Sequence, residues 1–162
     1  MQQSRGQQEG ARLQTATNAY IERIRSVPAN LLDREPEPGE WTLMQLTAHA
    51  AEIFPYWAKQ MTWVRQHPGQ PFGRTAADQS RIQYVEDHKT DPLDSLIATI
   101  QNGSEEAARA LGAFSDEEWT TVTGIHAVRG EMTLDAMSEL FLAGHAEEHL
   151  KQLNETLDKL NH

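Results

Sequence analysis

The chain has 162 residues, a formal net charge of −10 and no cysteine. Its length is typical of one domain with a sizeable core, and 38% hydrophobic with 23% charged residues is typical of a soluble globular protein. The acidic balance, without a cluster of Lys and Arg, argues against nucleic acid or an anionic membrane as the partner, and the lack of cysteine excludes disulfides and cysteine nucleophiles.

The start of the chain predicts a tail and then one helix. Residues 1–9 are polar and show no signal-peptide pattern, so we expect a disordered tail of a cytoplasmic protein, followed by one domain over residues 10–162. Apolar residues recur at helical spacing from Gly10 to Val27, and Pro28 stops the pattern. Residues 33–40 contain two prolines and a glycine and predict a loop.

A well-marked helix start follows this loop. We expect Thr42 to cap the N-terminus of the helix, with Gln45 as its capping-box partner. The helix should end near Gln66, and Pro55 should either bend or divide it. A short helix is then expected over residues 76–88.

The next long helix is predicted from its first residues. Asp91 and Pro92 suit the N-cap and the first position of a helix that ends at residues 111–114. Residues 115–118 then repeat the capping-box pattern at the start of a brief helix.

The remaining chain completes an all-α arrangement. Residues 120–132 are rich in Thr and Val around two glycines and predict a loop or a brief extended segment rather than a strand of a sheet. A final helix is expected from Thr133 to Asn161. Four long helices joined by short connections predict a four-helix bundle with an extra short helix and irregular loops.

Two histidines, His145 and His149, lie in this last predicted helix. Their spacing places both imidazoles on one helix face, one turn apart, which suits two ligands of a single metal ion. The same face carries Leu153 and Leu160 and should therefore point into the core. Because an unpartnered imidazole is costly to bury, we expect a metal ion or a hydrogen-bonding group beside the pair.

A third candidate ligand is His49, in the helix that follows Thr42. It lies at the margin of the apolar face that carries Leu46 and Ile53, so its side chain can reach the bundle interior. The other four histidines lie in or near loops or at the C-terminus: His67, His88, His126 and His162. Three neutral imidazoles from two helices would leave positions open for water or substrate, as in a catalytic zinc site.

Three features of the sequence resemble the DinB/YfiT superfamily of small bacterial four-helix bundles. They are Trp41 just before a helix, His49 eight residues later, and the late pair in HAEEH, residues 145–149. The resemblance extends from the first helix to the last. It implies that His49, His145 and His149 bind a divalent ion, usually zinc or nickel, and that the protein is a homodimer.

The same resemblance bears on activity. Characterised branches of the superfamily include transferases that use low-molecular-weight thiols such as bacillithiol, and mycothiol-dependent isomerases. The mycothiol branch often has Glu where this chain has His145. The three-histidine set therefore resembles the DinB/YfiT proteins more than the mycothiol-dependent branch.

Other metal-site motifs fit the sequence less well. HAEEH matches the H-x-x-E-H pattern of one class of zinc proteases, in which Glu148 would be the general base. Those proteases need a third ligand well downstream, and only the short segment 150–162 follows His149. The H-E-x-x-H pattern is absent because Ala146 occupies the position of its Glu, and neither histidine has the Glu three residues earlier that a di-iron bundle requires.

Several polar side chains close to these histidines in the helices are candidates for supporting or catalytic roles. We expect Glu52 and Glu148 to be solvated or rim carboxylates; the alternative is that they accept an imidazole N–H or act as a general base. Tyr56 and Gln152 are expected to line a pocket, and Tyr56 is a further catalytic candidate.

The loop before the last helix carries His126 and Arg129. We expect a solvated loop there, with recognition of an anion at the mouth of the site as the alternative. Trp41 is expected to be a core residue rather than a substrate contact.

Two classes of function fit these residues. The first is a metal-dependent enzyme acting on a small molecule, either a hydrolase or an S-transferase that uses a low-molecular-weight thiol. The resemblance favours the transferase, and the sulfur would come from the cosubstrate because the chain has no cysteine. The second class is a non-catalytic bundle, structural or stress-related, whose histidines bind metal for stability or bind none.

Overall fold

Helices make up most of the chain, which a computed structural model describes over residues 2–162. In chain order the elements are α1 (Arg5–Arg25), α2 (Ala29–Leu32), α3 (Leu43–Gln66), β1 (Pro71–Phe72), α4 (Gln79–His88), α5 (Leu93–Gly112), α6 (Asp116–Thr121), β2 (Thr123–His126), β3 (Gly130–Thr133), α7 (Leu134–Phe141) and α8 (Ala143–Leu160). Within the described residues, every helix is too short or too polar to cross a bilayer.

The four long helices form the predicted bundle. α3 packs on α5, α5 on α1 and α1 on α8, while α8 also contacts α3 and closes the arrangement. Each helix contributes fully buried side chains to the shared core, among them Leu13, Ile53, Leu111 and Leu153. Burying one such side chain stabilises the fold by roughly 1.5–3 kcal/mol relative to leaving it in water.

The predicted start of α3 is confirmed. The backbone N–H of Gln45 donates to Oγ1 of Thr42 at 3.1 Å, and the Thr42 N–H donates to Oε1 of Gln45 at 2.9 Å. Pro55 lies inside α3 without dividing it, since the helix continues to Gln66. His49 lies near the N-terminal end of this long helix, and Trp57 lies near its middle. Both side chains are buried.

The N-terminal helix begins earlier than expected. Of the predicted tail, residue 1 lies outside the described residues, while residues 5–9 are helical. Ser4 caps the helix in a capping box with Gln7, and the Arg5 N–H donates to Asp116 of α6 at 2.9 Å. The expected disordered tail over residues 1–9 is therefore wrong from residue 5 onward, because local capping and contact with α6 offset the polar composition.

The segment expected to be a loop contains a small sheet. β2 pairs with β3 in an antiparallel hairpin, and β1 pairs with β2 in parallel, with Phe72 beside His126 in the register. The hairpin turns at Gly130, whose φ of +75° disfavours residues with a Cβ. The expectation of no true strand is wrong because β2 pairs with β3 and also with residues 71–72, which lie more than 50 positions away in the sequence.

The last predicted helix is divided in two. α7 ends at Phe141 and α8 starts at Ala143, because Leu142 adopts φ −125° and ψ −96°, outside the helical region. A Cβ at Gly144 would lie 1.9 Å from the carbonyl oxygen of Glu139, so this close approach requires glycine. The predicted start of this helix at Thr133 is confirmed, since Thr133 is the N-cap of α7 and its Oγ1 accepts from the Ala136 N–H at 3.2 Å.

The start of α5 also differs slightly from the prediction. Pro92 occupies the N-cap position and provides no side-chain hydrogen bond to the helix. Asp91, the expected cap, instead contacts Nδ1 of His88 at 2.7 Å. The Asp91 carboxylate therefore contacts His88 at the end of α4 and does not cap α5.

Candidate metal centre

Three histidines from two helices meet inside the bundle. His49 comes from α3, and His145 and His149 come from the first half of α8. One ligand nitrogen from each residue lies within 4.8 Å of the other two. Nε2 of His145 is 3.0 Å from Nε2 of His149, and the rings of His49 and His149 have centroids 5.1 Å apart. The structure thus brings together the residues that the sequence pattern singled out.

The surroundings keep these imidazoles neutral. Burial lowers the pKa of His49 and His149, and it lowers the pKa of His145 to about 4. The positive charge of Arg81 acts in the same direction on all three rings. A neutral imidazole has the lone pair that a metal ion requires, so near pH 7 the set is ready to act as ligands.

The donor set fits a divalent ion. Nδ1 of His49 lies 3.6 Å from Oε2 of Glu52, which leaves Nε2 of His49 for a metal. Nδ1 of His149 is buried and has no hydrogen-bond partner among the described residues, while its Nε2 faces His145. Three imidazole nitrogens suit zinc or nickel better than the oxygen-seeking Mg²⁺ or Ca²⁺.

Glu52 lies behind His49 rather than at a solvated rim. Its side chain is only 7% exposed and forms an ion pair with Arg74, itself 8% exposed. Burial raises the pKa of Glu52, but the contacts with His49 and Arg74 outweigh this and hold the pKa below its usual value. The expected rim position of Glu52 is therefore wrong, and its charged carboxylate faces the Nδ1 side of His49 at 3.6 Å, longer than a hydrogen bond.

Glu148 lies where the sequence placed it. It is exposed and lines a cavity next to His145. Two other expected cavity residues do not line it. Tyr56 instead packs against Arg74, with the guanidinium carbon 3.8 Å from the ring centre, and Gln152 is exposed on α8.

The cavity beside the histidines has a volume of about 640 Å³. His49 and His145 form part of its wall, and half of the remaining lining residues are apolar. Trp57 and Phe141 stack at 3.9 Å between ring centroids, which gives the wall a flat aromatic surface. A concave cavity of this size that combines apolar surface with polar groups is typical of a small-molecule site.

His126 is buried, which corrects the expected solvated loop. Its Nδ1 accepts from the backbone N–H groups of Val128 and Arg129, each at 3.2 Å. Its Nε2 must then carry the proton and donate to the carbonyl oxygen of Arg74 at 3.1 Å. His126 thereby fixes the sheet against the Arg74 segment, while Arg129 stays exposed at the cavity.

Sequence reasoning missed two arginines of the site, Arg74 and Arg81. Arg74 follows Gly73, whose φ of +78° and close contact with Trp57 turn the chain toward the cavity. Arg81 lies in α4, and no motif in that helix marks it as a residue of the site. No local signal identified either residue, because α4 and the β1 segment reach the cavity only through tertiary packing.

The family of the chain follows from the match of a family model. The model of the DinB superfamily matches residues 12–153, which include the three histidines. The chain belongs to the DinB superfamily. No curated protein matches its sequence.

Solved structures of low sequence identity share this fold. YfiT from Bacillus subtilis, described as a probable metal-dependent hydrolase with an unusual four-helix bundle topology, superposes with a TM-score of 0.82 at 15% identity, covering 99% of this chain and 90% of YfiT. A mycothiol-dependent maleylpyruvate isomerase gives a TM-score of 0.68 at 15% identity, and the match covers 98% of this chain and 63% of the isomerase. An uncharacterised protein from Escherichia coli gives 0.67 at 11% identity, with 99% and 96% coverage.

Proposed function

We propose that this DinB-superfamily protein is a metal-dependent enzyme that acts on a small molecule in the cavity beside His49, His145 and His149. The observation that carries the proposal is the meeting of three neutral imidazoles, with ligand nitrogens within 4.8 Å of one another, at the wall of a 640 Å³ cavity. A purely structural site would be closed, whereas His49 and His145 both border open space.

The ligand set supports zinc or nickel as the ion. When bound, such an ion lowers the pKa of water or of a thiol, so that a nucleophile is present at neutral pH. The chain's own residues would hold and orient it. Glu52, fixed by Arg74, would keep the His49 ring in one orientation through Nδ1.

The cavity residues limit the candidates for a general base. Glu52 is engaged by His49 and Arg74, and Tyr56 packs on Arg74 away from the cavity. Glu148 is exposed and borders the cavity together with His145, so we assign it the role of proton acceptor. This choice narrows the three catalytic candidates of the sequence to one.

The reaction is either thiol transfer or hydrolysis. We favour an S-transferase with a low-molecular-weight thiol, since the family resemblance includes such enzymes, the chain has no cysteine, and the cavity accommodates a ligand of that size. Hydrolysis is the second candidate, supported by the description of YfiT and by its TM-score of 0.82 with this chain.

A direct experiment tests this proposal. The protein is purified without a histidine tag, its bound metal is measured, and conjugation of glutathione, bacillithiol and mycothiol to electrophiles is assayed beside esterase and amidase substrates. Metal at one ion per chain and a turnover that disappears in His145→Ala would support the proposal. A full set of metal with no turnover, and a melting temperature that falls on chelation, would favour the non-catalytic bundle.

The remaining expectations are part of the same proposal. The family resemblance supports a homodimer, and a cytoplasmic location is part of the proposal. Light scattering of the purified protein tests the first, and fractionation of the source cells tests the second.

A further inference from the structure

The cavity carries more positive charge than the chain as a whole would suggest. Three arginines line it, namely Arg74, Arg81 and Arg129, in a protein with a net charge of −10. Glu52 neutralises Arg74. Arg81 and Arg129 form no ion pair with any residue between 2 and 162.

The carboxylates of the cavity wall do not balance these two cations. Glu139 is bound to Arg12 at 2.6 Å, outside the cavity. Glu148 is exposed and is the one lining carboxylate, within the described chain, that lacks an arginine partner. The interior of the cavity therefore favours an anion.

Arg81 is linked to the histidines by an aromatic contact. Its guanidinium lies 5.2 Å from the ring centre of Trp41, and the Trp41 ring lies 5.4 Å from the ring of His49. The aromatic contact holds the cation beside the proposed metal centre.

The guanidinium of Arg81 is half-buried and largely unused. One of its five N–H groups donates to the carbonyl oxygen of Ala76 at 3.1 Å. Burial lowers its pKa relative to the usual value, the charge of Glu52 acts in the opposite direction, and no carboxylate of the described residues forms an ion pair with it. A half-buried cation with free donors is suited to a bidentate anion.

We propose that Arg81 is the anion-binding residue of the cavity and that it binds the carboxylate of a small organic acid. The apolar body of that molecule packs on the aromatic surface of Trp57 and Phe141, and Arg129 adds positive charge from the exposed loop. This inference rests on the proposed function in one respect, since it takes the same cavity to be the ligand site.

The test compares two probes of similar shape and different charge. Binding of 3-phenylpropionate and of the neutral 3-phenylpropan-1-ol is measured by NMR titration and calorimetry with the full-length protein, as purified and after zinc loading. The variants are Arg81→Met, Arg81→Lys and the control Arg109→Met. Arg109 is an exposed arginine of α5 that does not line this cavity.

We expect the wild-type protein to prefer the acid by about tenfold or more, which corresponds to a charge-assisted hydrogen bond. Arg81→Met should remove this preference, Arg81→Lys should keep part of it, and Arg109→Met should leave it unchanged. An equal affinity for both probes in the wild type, or a preference that survives in Arg81→Met, would overturn the proposal. The second result would indicate that the acid binds the metal ion directly.

A structural role for Arg81 alone gives a different pattern. If the residue only supports Trp41, then Arg81→Met should weaken both probes equally, and this too would overturn the proposal. The metal content of each sample is measured in parallel. Failure to bind metal contradicts the proposed enzyme without affecting the charge preference, so the two failures are distinguishable.

Discussion

Nε2 of His145 lies 3.0 Å from Nε2 of His149. Both residues lie in the first turns of α8, which begins at Ala143. Two ring nitrogens at this distance cannot both carry a proton, and both cannot be bare without repulsion between their lone pairs. Either one ring donates its N–H to the other, or a divalent ion is bound by both nitrogens. In both cases the contact joins the two rings, so a substitution at His149 also changes the surroundings of His145.

Removal of His149 should abolish metal binding. We expect His149→Ala to weaken zinc affinity by more than about 100-fold. Loss of a residue that only orients a ligand usually weakens metal affinity by about 10- to 100-fold. The measurement is zinc competition with a chromophoric chelator, with circular dichroism to verify the fold. His67→Ala is the matched control, because His67 is exposed and its ring contacts Trp63 at the end of α3, outside the proposed site. Unchanged affinity in His149→Ala would contradict the three-histidine site.

Changes at Glu52 should act on the metal through His49. We expect Glu52→Gln to lower zinc affinity modestly and Glu52→Leu to lower it by about 10- to 100-fold, since leucine cannot accept a hydrogen bond from Nδ1. Glu52→Leu should also lower the melting temperature, because it leaves the buried Arg74 unpaired. Equal zinc affinity in all three proteins would show that Glu52 serves Arg74 alone.

A methyl group at Gly144 should disturb the break between α7 and α8. The added Cβ would lie 1.9 Å from the Glu139 carbonyl oxygen, so the backbone must move and carry the neighbouring His145 with it. We expect Gly144→Ala to destabilise the fold by about 1–3 kcal/mol in urea unfolding and to weaken zinc binding. Gly112→Ala is the control: a Cβ there meets nothing within 4 Å, and its stability should be unchanged or higher.

Alkaline pH should destabilise the protein through Tyr20. This side chain is buried, and burial raises the pKa of its phenol above the ordinary value of 10.0. Above about pH 10 the unfolded chain releases the phenolic proton while the folded chain keeps it, so the free energy of unfolding falls as the pH rises.

Substitution of Tyr20 isolates its share of this dependence. Tyr20→Phe should flatten the loss of stability between about pH 10 and 11.5, measured by urea unfolding. It removes the 2.9 Å contact with Thr47, but the Thr47 hydroxyl still donates to the carbonyl oxygen of Leu43. The same steep loss in both proteins would contradict the assignment to Tyr20.

The sequence predicted the parts of the site that local spacing controls. The i, i+4 spacing of His145 and His149, and the place of His49 in a helix marked by the Thr42 capping box, required no knowledge of distant contacts. The Ser4 capping box is also a local feature, but the polar composition of residues 1–9 indicates a tail, so the predicted start of α1 lies too late in the chain.

The errors occurred where distant segments decide the local structure. Strands β2 and β3 are short and have weak local patterns, and pairing with β1 stabilises them. The burial of Glu52 depends on Arg74, which arrives from 22 residues further along the chain. The approach of Gly144 to Glu139 breaks a helix that the periodicity of residues 134–160 alone predicts to be continuous.

The sequence by itself therefore determined the helical bundle and three candidate ligands, because helix periodicity and capping act over a few residues. The tertiary structure alone decided the charge and shape of the cavity. Arg81 from α4 and His126 from β2 reach it only through packing of segments far apart in the chain. Burial and electrostatic interaction depend on distance in space, and the order of residues does not give that distance directly.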